Sequence, residues 1–271
     1  MSENWTGWHF LPTDGKLRFG DGREPKDGQK ISAKGKLEIA RNGLHASEDI
    51  MDAIDYSGGP ILCRVELHGK RIDTIDKSVG RTRVILWRVD ATELMRKFAC
   101  WSADRAVRVH AVEALRATRN RLCTELAREL AELPEITDEV TLLDAETNLR
   151  AVYETVCAEK ATKKKRAQKS KTAKHEHNRY RLLEYVLDTV GDATLHATTS
   201  CTCLSCRVRY AGHAARASRR AAAEATWCKS GNYSGDGKQI SAHDAVGTKA
   251  RKAEKDRQRA KLLELIEEAR K

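Results

Sequence analysis

The sequence predicts an α+β N-terminal module, built of short antiparallel strands plus one or two helices, followed by a mostly α-helical C-terminal region. Two distributions carry this reading. Residues 1–80 hold eleven of the seventeen glycines and three of the four prolines, whereas Pro134 is the one such residue between Arg81 and Val190. Glycine and proline mark turns and break helices, so the first portion is turn-rich and the second a set of long helices. The apolar period changes at the same place, from two in Ile61–Leu67 to the helical spacing of Ala111, Leu115, Leu122, Leu126, Leu130 and Leu133. The predicted divisions are the module at 1–103, an amphipathic helical hairpin at 104–160 and a basic linker or exposed helix at 161–178. A basic, alanine-rich helical region with a cysteine-rich loop at 201–206 fills 179–271.

Within the module, Trp8-His9-Phe10-Leu11 is expected to form a first strand, turning at Asp14-Gly15 into a second around Leu17-Arg18-Phe19. Ser47, with Glu48 and Asp49 behind it, is the expected cap of a helix through Ile50, Met51 and Ile54, ending at Gly58-Gly59. A serine oxygen there accepts hydrogen bonds from free backbone amides, and the carboxylates favour the positive end of the helix dipole. Ile61, Cys63, Val65 and Leu67 should face a core from one strand, and Val84–Val89 forms another. Asp90-Ala91-Thr92-Glu93 then resembles a capping box, opening a helix through Leu94, Phe98 and Trp101.

Downstream, an apolar face runs from Val107 to Pro134, about seven turns of helix. Thr137 or Asp138 caps a second helix carrying Leu142, Leu149, Val152, Tyr153 and Val156. Two such helices joined through Pro134 predict an antiparallel hairpin, packed on the module or on another copy of the chain, so a homo-oligomer is one expected assembly. A third helix carries Tyr180, Leu183, Val186, Leu187 and Val190, and the last spans Lys249 to Arg270.

With 40% apolar and 33% charged residues, the chain is too apolar to be disordered throughout. No stretch approaches the roughly eighteen uncharged apolar residues of a membrane span. Met1–Trp5 lacks the basic flank and apolar run of a secretory signal, so the expectation is a cytoplasmic protein without a membrane partner. The net charge of +11 is unevenly spread: residues 1–100 carry +2, 101–160 carry −4, 161–180 carry +7 and 181–271 carry +6. Lys163, Lys164, Lys165, Arg166, Lys169, Lys171 and Lys174 form a block free of acids. Such a block reads as a solvated face or as a phosphate-binding stripe. Arg207, Arg209 and Arg216, interleaved with Tyr210 and His213, extend the candidate nucleic-acid contacts.

Cys63, Cys100, Cys123 and Cys157 lie singly on predicted strands and helices, as small buried apolar residues do. Cys201, Cys203 and Cys206 fall within six residues and, with Cys228, His196 or His213 as a fourth ligand, form a candidate structural zinc site. Free thiols are the competing reading.

The blocks Trp8-His9-Phe10-Leu11, Gly20-Asp21-Gly22-Arg23, Gly43-Leu44-His45-Ala46-Ser47, Gly59-Pro60-Ile61, Cys63-Arg64-Val65-Glu66-Leu67, Asp76-Lys77, Arg83, Ile85-Leu86-Trp87, Asp90-Ala91-Thr92 and Phe98-Ala99 together resemble an uncharacterised domain family. That family is widespread in bacteriophages and prophage-bearing bacteria. The resemblance covers residues 5–103, and Ala211–Thr226, with eight alanines in sixteen positions, is similar to the alanine-rich helical tail that commonly follows the domain. The resemblance implies a phage or prophage context and no particular reaction; together with the basic helical tail, the leading expectation is a non-catalytic phage-type accessory protein in the host cytoplasm, with a nucleic acid or a host or phage protein as partner.

Gly43–Ser47, the helix after it and Ile61–Leu67 also resemble, more distantly, the second half of the ADP-ribosyltransferase fold. That likeness implies NAD as cofactor, His9 and His45 as its contacts, and Glu66 as the carboxylate opposing the oxocarbenium-like charge at the ribose. The motif is incomplete: Phe10 follows His9 where the poly-ADP-ribose branch has glycine, and there is no Glu-x-Glu pair. Half-buried packing roles for both histidines are the competing reading.

Overall fold

The computed structural model describes residues 5–19, 21–167, 171–202, 207–230 and 240–271. The chain has two compact units: Met1–Arg96 with Cys203–Gly212 and Arg259–Lys271, and Lys97–Thr202 with His213–Gln258. The α+β module followed by a mostly helical region is the observed architecture. The division differs from the linear one expected, because the C-terminal helix returns its last three turns or so to the first unit. No described helix is long and apolar enough to cross a membrane.

The first unit is built on β1 (Trp5–Leu11), β2 (Lys30–Ser32), β3 (Leu44–Ala46), β4 (Ile61–Asp73) and β5 (Ser78–Asp90), all pairs antiparallel, in the order β1-β4-β5-β2 with β3 also on β5. β4 and β5 are longer than their apolar runs suggest, because the hairpin continues through the polar residues Arg71–Asp73 and Ser78. The expected strand at Leu17–Phe19 does not form. Phe19 has φ 62 and Leu17 N donates to Arg23 O at 2.8 Å, a loop geometry, and the pairing with β5 is taken by Lys30–Ser32 instead.

Trp8 N donates to Ser47 O at 2.7 Å and Ser47 N to Trp8 O at 2.9 Å, so the end of β3 reaches the free edge of β1 and the sheet curls round on itself. Leu11, Leu17, Ile31, Leu44, Ala46, Cys63, Val65, Leu67 and Ile85 fill the concave side, with Ile61 partly buried against them. Because Ser47 is used in this way, the cap of α1 (Ile50–Asp55) is Asp49, whose Oδ1 accepts from Met51 N at 3.0 Å. At Gly43 the backbone has φ +129, and a Cβ there would lie 2.2 Å from Val79 Cγ2. Gly43→Ala should therefore cost about 2–4 kcal/mol, through strain and overpacking together. Urea denaturation should show it as a lowered midpoint.

The second unit takes in α2 (Thr92–Asp104) from Lys97, a π-helical segment (Arg105–Ala111), α3 (Val112–Ala117), α4 (Arg121–Ala131), α5 (Glu139–Ala167) and α6 (Lys171–Thr202). α7 (Arg207–Ser230) from His213 and α8 (Ile240–Ala269) to Gln258 complete it. The single helix expected between Val107 and Pro134 is broken at Thr118–Asn120. Arg119 has φ 54, Thr118 Oγ1 donates back to Leu115 O at 2.8 Å, and Asn120 accepts from Cys123 N to start α4. The hairpin also forms elsewhere. It is α5 and α6 that run antiparallel over their length, with Thr198 Oγ1 donating to Glu146 at one end and Lys163 Nζ 3.3 Å from Glu176 at the other. The described parts of the basic segment, 161–167 and 171–178, are thus the end of α5 and the start of α6.

A buried charge cluster ties α8 to the π-helical segment. Arg105 donates to both carboxylate oxygens of Glu254, at 2.6 and 2.8 Å, and His110 Nε2 lies 3.6 Å from Oε2. Glu254 is fully buried. Burial by itself would raise its pKa, but His110 and Arg105 outweigh that and hold it at about 2. A carboxylate depressed in the fold contributes stability that is present above its unfolded pKa of about 4.3 and lost as the pH falls toward the folded value. Denaturation midpoints should therefore drop between pH 5 and pH 2. Glu254→Gln should flatten that drop and cost about 3–5 kcal/mol at neutral pH, since it removes the buried counter-charge of Arg105.

Candidate functional site

Three groups of residues were candidates from sequence: the histidine pair of the module, the cysteines, and the basic block. The first is partly assembled. His9 lies opposite Cys63 in the β1–β4 register and so shares the concave face with the core. His45 lies on β3, opposite Val79. The two approach closely enough that the His9 pKa is pushed well below its usual value, first by burial, then by Arg83, His45 and Arg18. His45 is lowered too, by burial, Lys77 and Arg83, against a hydrogen bond to the Gly43 backbone. Its Nε2 accepts from Ala40 N at 3.1 Å, as the neutral imidazole does.

Glu66 is not brought to this pair. It lies opposite Thr6 in the register, on the convex face of β4, and its Oε2 sits 3.2 Å from His68 Nε2. Strand alternation decides this: His9 pairs with Cys63, and a residue three positions along β4 must point the other way. The carboxylate that the transferase likeness requires is therefore on the wrong side of the sheet from His9.

The residue that does join the histidines is Arg83, which belongs to the blocks that carry the family resemblance but was not among the candidate site residues. It is 1% exposed, and its Nη1 donates to His45 O at 2.8 Å while Nε finds no hydrogen-bond partner. Burial brings its pKa down to about 10, with Cys63 and Asp21 pulling the other way. A signal for it exists in the sequence: Arg83 has the same parity as Ile85 in an alternating strand, a core-facing position for a cation. Two neutral imidazoles beside a buried guanidinium form an electropositive interior that repels protons. They do not constitute an acid–base pair around a substrate.

Of the cysteines, Cys201 ends α6 and does not open a loop; its Sγ lies 3.6 Å from that of Cys100, both buried. Cys228 is buried on α7, its thiol pushed up to about 12 by burial, unlike a thiolate ready for metal. Cys203 and Cys206 lie outside the described residues, and among the described residues no group of three or more metal-ligating side chains is found. The rings of His196 and His213 meet edge to face at 5.1 Å.

Of the basic residues, Lys163 Nζ is paired with Glu159 at 3.6 Å and Glu176 at 3.3 Å, and Lys164 is exposed. Lys165, Arg166 and Lys171 have helical backbone, with side chains outside the described residues, as Lys169 is altogether. Arg209 and Arg216 are exposed, but Arg207 is 8% exposed and faces away from solvent. Comparison of the chain with family models, with curated proteins and with solved structures gives no match.

The electropositive interior makes a pH prediction. A histidine whose pKa is lowered by folding costs stability once it must be protonated, so stability is full above about pH 6.5 and falls by up to about 1.4 kcal/mol per pH unit below it for each such group. Denaturation at pH 7.5 and 5.5 should show this loss, and His9→Gln should reduce it. An unchanged slope in His9→Gln would remove His9 from the cluster.

Proposed function

We propose that the protein is a non-catalytic, phage-type accessory protein that binds nucleic acid through the basic end of its α5–α6 hairpin. One observation carries this: the antiparallel course of the two helices gathers the two halves of the basic block, Lys163–Arg166 on α5 and Lys171 with Lys174 on α6, at the same end. The backbone positions of these six cations thus lie at one end of the hairpin. Of the side chains described at that end, Lys163 is held by acids, and Lys164 has no carboxylate within ion-pair distance among the described residues. Exposed lysines of this kind bind phosphates by releasing counterions, without reading sequence. The placement of Glu66 on the face of β4 opposite to His9 favours binding over transferase chemistry.

Retention on duplex DNA should fall steeply with salt, by about 0.9 log unit in affinity per log unit of salt for each phosphate contacted. Changing Lys163, Lys164, Lys165 and Arg166 to glutamine should lower that slope by two or more and weaken binding equally on unrelated sequences. A variant that binds like the parent, or a parent that ignores salt, would overturn this assignment. Electrophoretic shift at several salt concentrations reads both.

A further inference from the structure

A cleft of about 800 Å³ opens in the first unit, away from the histidine interior. It is bounded by β1, the start of α1, the turn between β4 and β5, and the C-terminal part of α8. Several of its charged groups already have partners, charged or neutral. Arg259 Nε donates to Asp49 Oδ1 at 3.0 Å, Arg71 Nε to Asp73 Oδ1 at 2.7 Å, and Asp76 accepts from Thr74 Oγ1 at 3.0 Å and from Tyr56.

Two cations of the lining have no carboxylate within ion-pair distance among the described residues: Lys77, whose Nζ lies 4.0 Å from the centre of the Tyr56 ring, and Arg64. Among the described residues the one hydrogen bond of Arg64 is from Nη2 to Thr6 Oγ1 at 2.6 Å, and no carboxylate pairs with it. Partial burial depresses its pKa, as happens to a cation without a counter-charge. Its guanidinium lies 4.6 Å from the centre of the Trp8 ring, which is itself fixed edge to face against Trp87 at 5.8 Å. A second stack lines the same cleft, with Arg71 5.1 Å from the Trp5 ring.

A guanidinium stacked on an indole is flat, keeps donors in its plane for an anion, and offers its face to another planar ring. Most of the five N–H donors of Arg64 are left for a ligand. An inorganic anion would use the donors and waste the indoles, and a neutral aromatic would leave Arg64 unmatched. The volume suits a small organic ligand. Glu48, exposed at the rim, adds an acceptor for a hydroxyl.

We propose that this cleft binds a nucleoside monophosphate, with the phosphate on Arg64 and the base against the Trp8–Arg64 and Trp5–Arg71 stacks. The site is separate from the basic hairpin and does not depend on it.

Equilibrium dialysis of the full chain against AMP, adenosine and inorganic phosphate tests the proposal. AMP should bind saturably and more tightly than either of the other two. Arg64→Gln should weaken AMP at least tenfold, and the four-residue hairpin variant should leave it unchanged. AMP should also raise the melting temperature of the parent and not of Arg64→Gln. If Arg64→Gln loses its far-ultraviolet circular dichroism, Arg64→Lys takes its place, keeping the charge while losing the flat fork, and should likewise lose most of the affinity. Binding of phosphate as tight as AMP, or adenosine as tight as AMP, overturns the assignment. So does AMP binding that survives intact in the Arg64 variants or disappears in the hairpin variant.

Discussion

Closure of the first unit rests on a pair of backbone hydrogen bonds, because the short strand β3 can reach the edge of β1 nowhere except where Trp8 and Ser47 exchange N–H and C=O. That exchange gives the sheet an inside and an outside. On the inside lie the apolar cluster, His9 and Arg83; on the outside lie Trp8, Arg64 and Glu66. Alternation along β1 and β4 then allocates the chemistry: neighbours in sequence such as Trp8 and His9 belong to different environments. The same closure consumes Ser47, which moves the helix cap to Asp49 and brings the Asp49 carboxylate to Arg259.

Polar burial is handled differently in the two units. Glu254 in the helical unit is surrounded by cationic partners and stays ionised, with Arg105 supplying a two-point contact. Arg83 in the first unit has no carboxylate within ion-pair distance among the described residues and makes one hydrogen bond, to the His45 carbonyl, with Asp21 acting on it only from farther away. A buried ion pair adds little to stability relative to an apolar core, yet removing one member is costly. Glu254 therefore pins the register of α8 against the π-helical segment more than it strengthens the bundle. The widened helical turn at Arg105–Ala111 is what directs both Arg105 and His110 to it.

Much of the fold was legible because it rests on local signals. The shift from turn-rich to helix-rich sequence, the alternation of Cys63, Val65 and Leu67, and the caps at Asp90 and Asp138 all depend on neighbours within a few residues. The errors came where a local signal had more than one use. Ser47 is a good cap and also a good strand end. Leu115 and Leu122 keep helical spacing across a turn at Arg119 that breaks the helix. Glu66 was the candidate for the glutamate that the transferase likeness requires, but parity and register together were needed to see that it and His9 face opposite ways.

By itself, then, the amino-acid order determined the class of the fold, the position of its helical half, and the concentration of positive charge after residue 160, since each is a property of composition or short-range periodicity. Which residues meet was decided by the tertiary structure alone. Arg83 beside His45, Glu254 beside Arg105, Lys163 beside Glu176 and Trp8 beside Arg64 join positions on different elements. Such meetings depend on strand register, on sheet closure and on the antiparallel course of α5 and α6. These follow from burying one continuous core, a requirement imposed on the whole chain and not written at any single position.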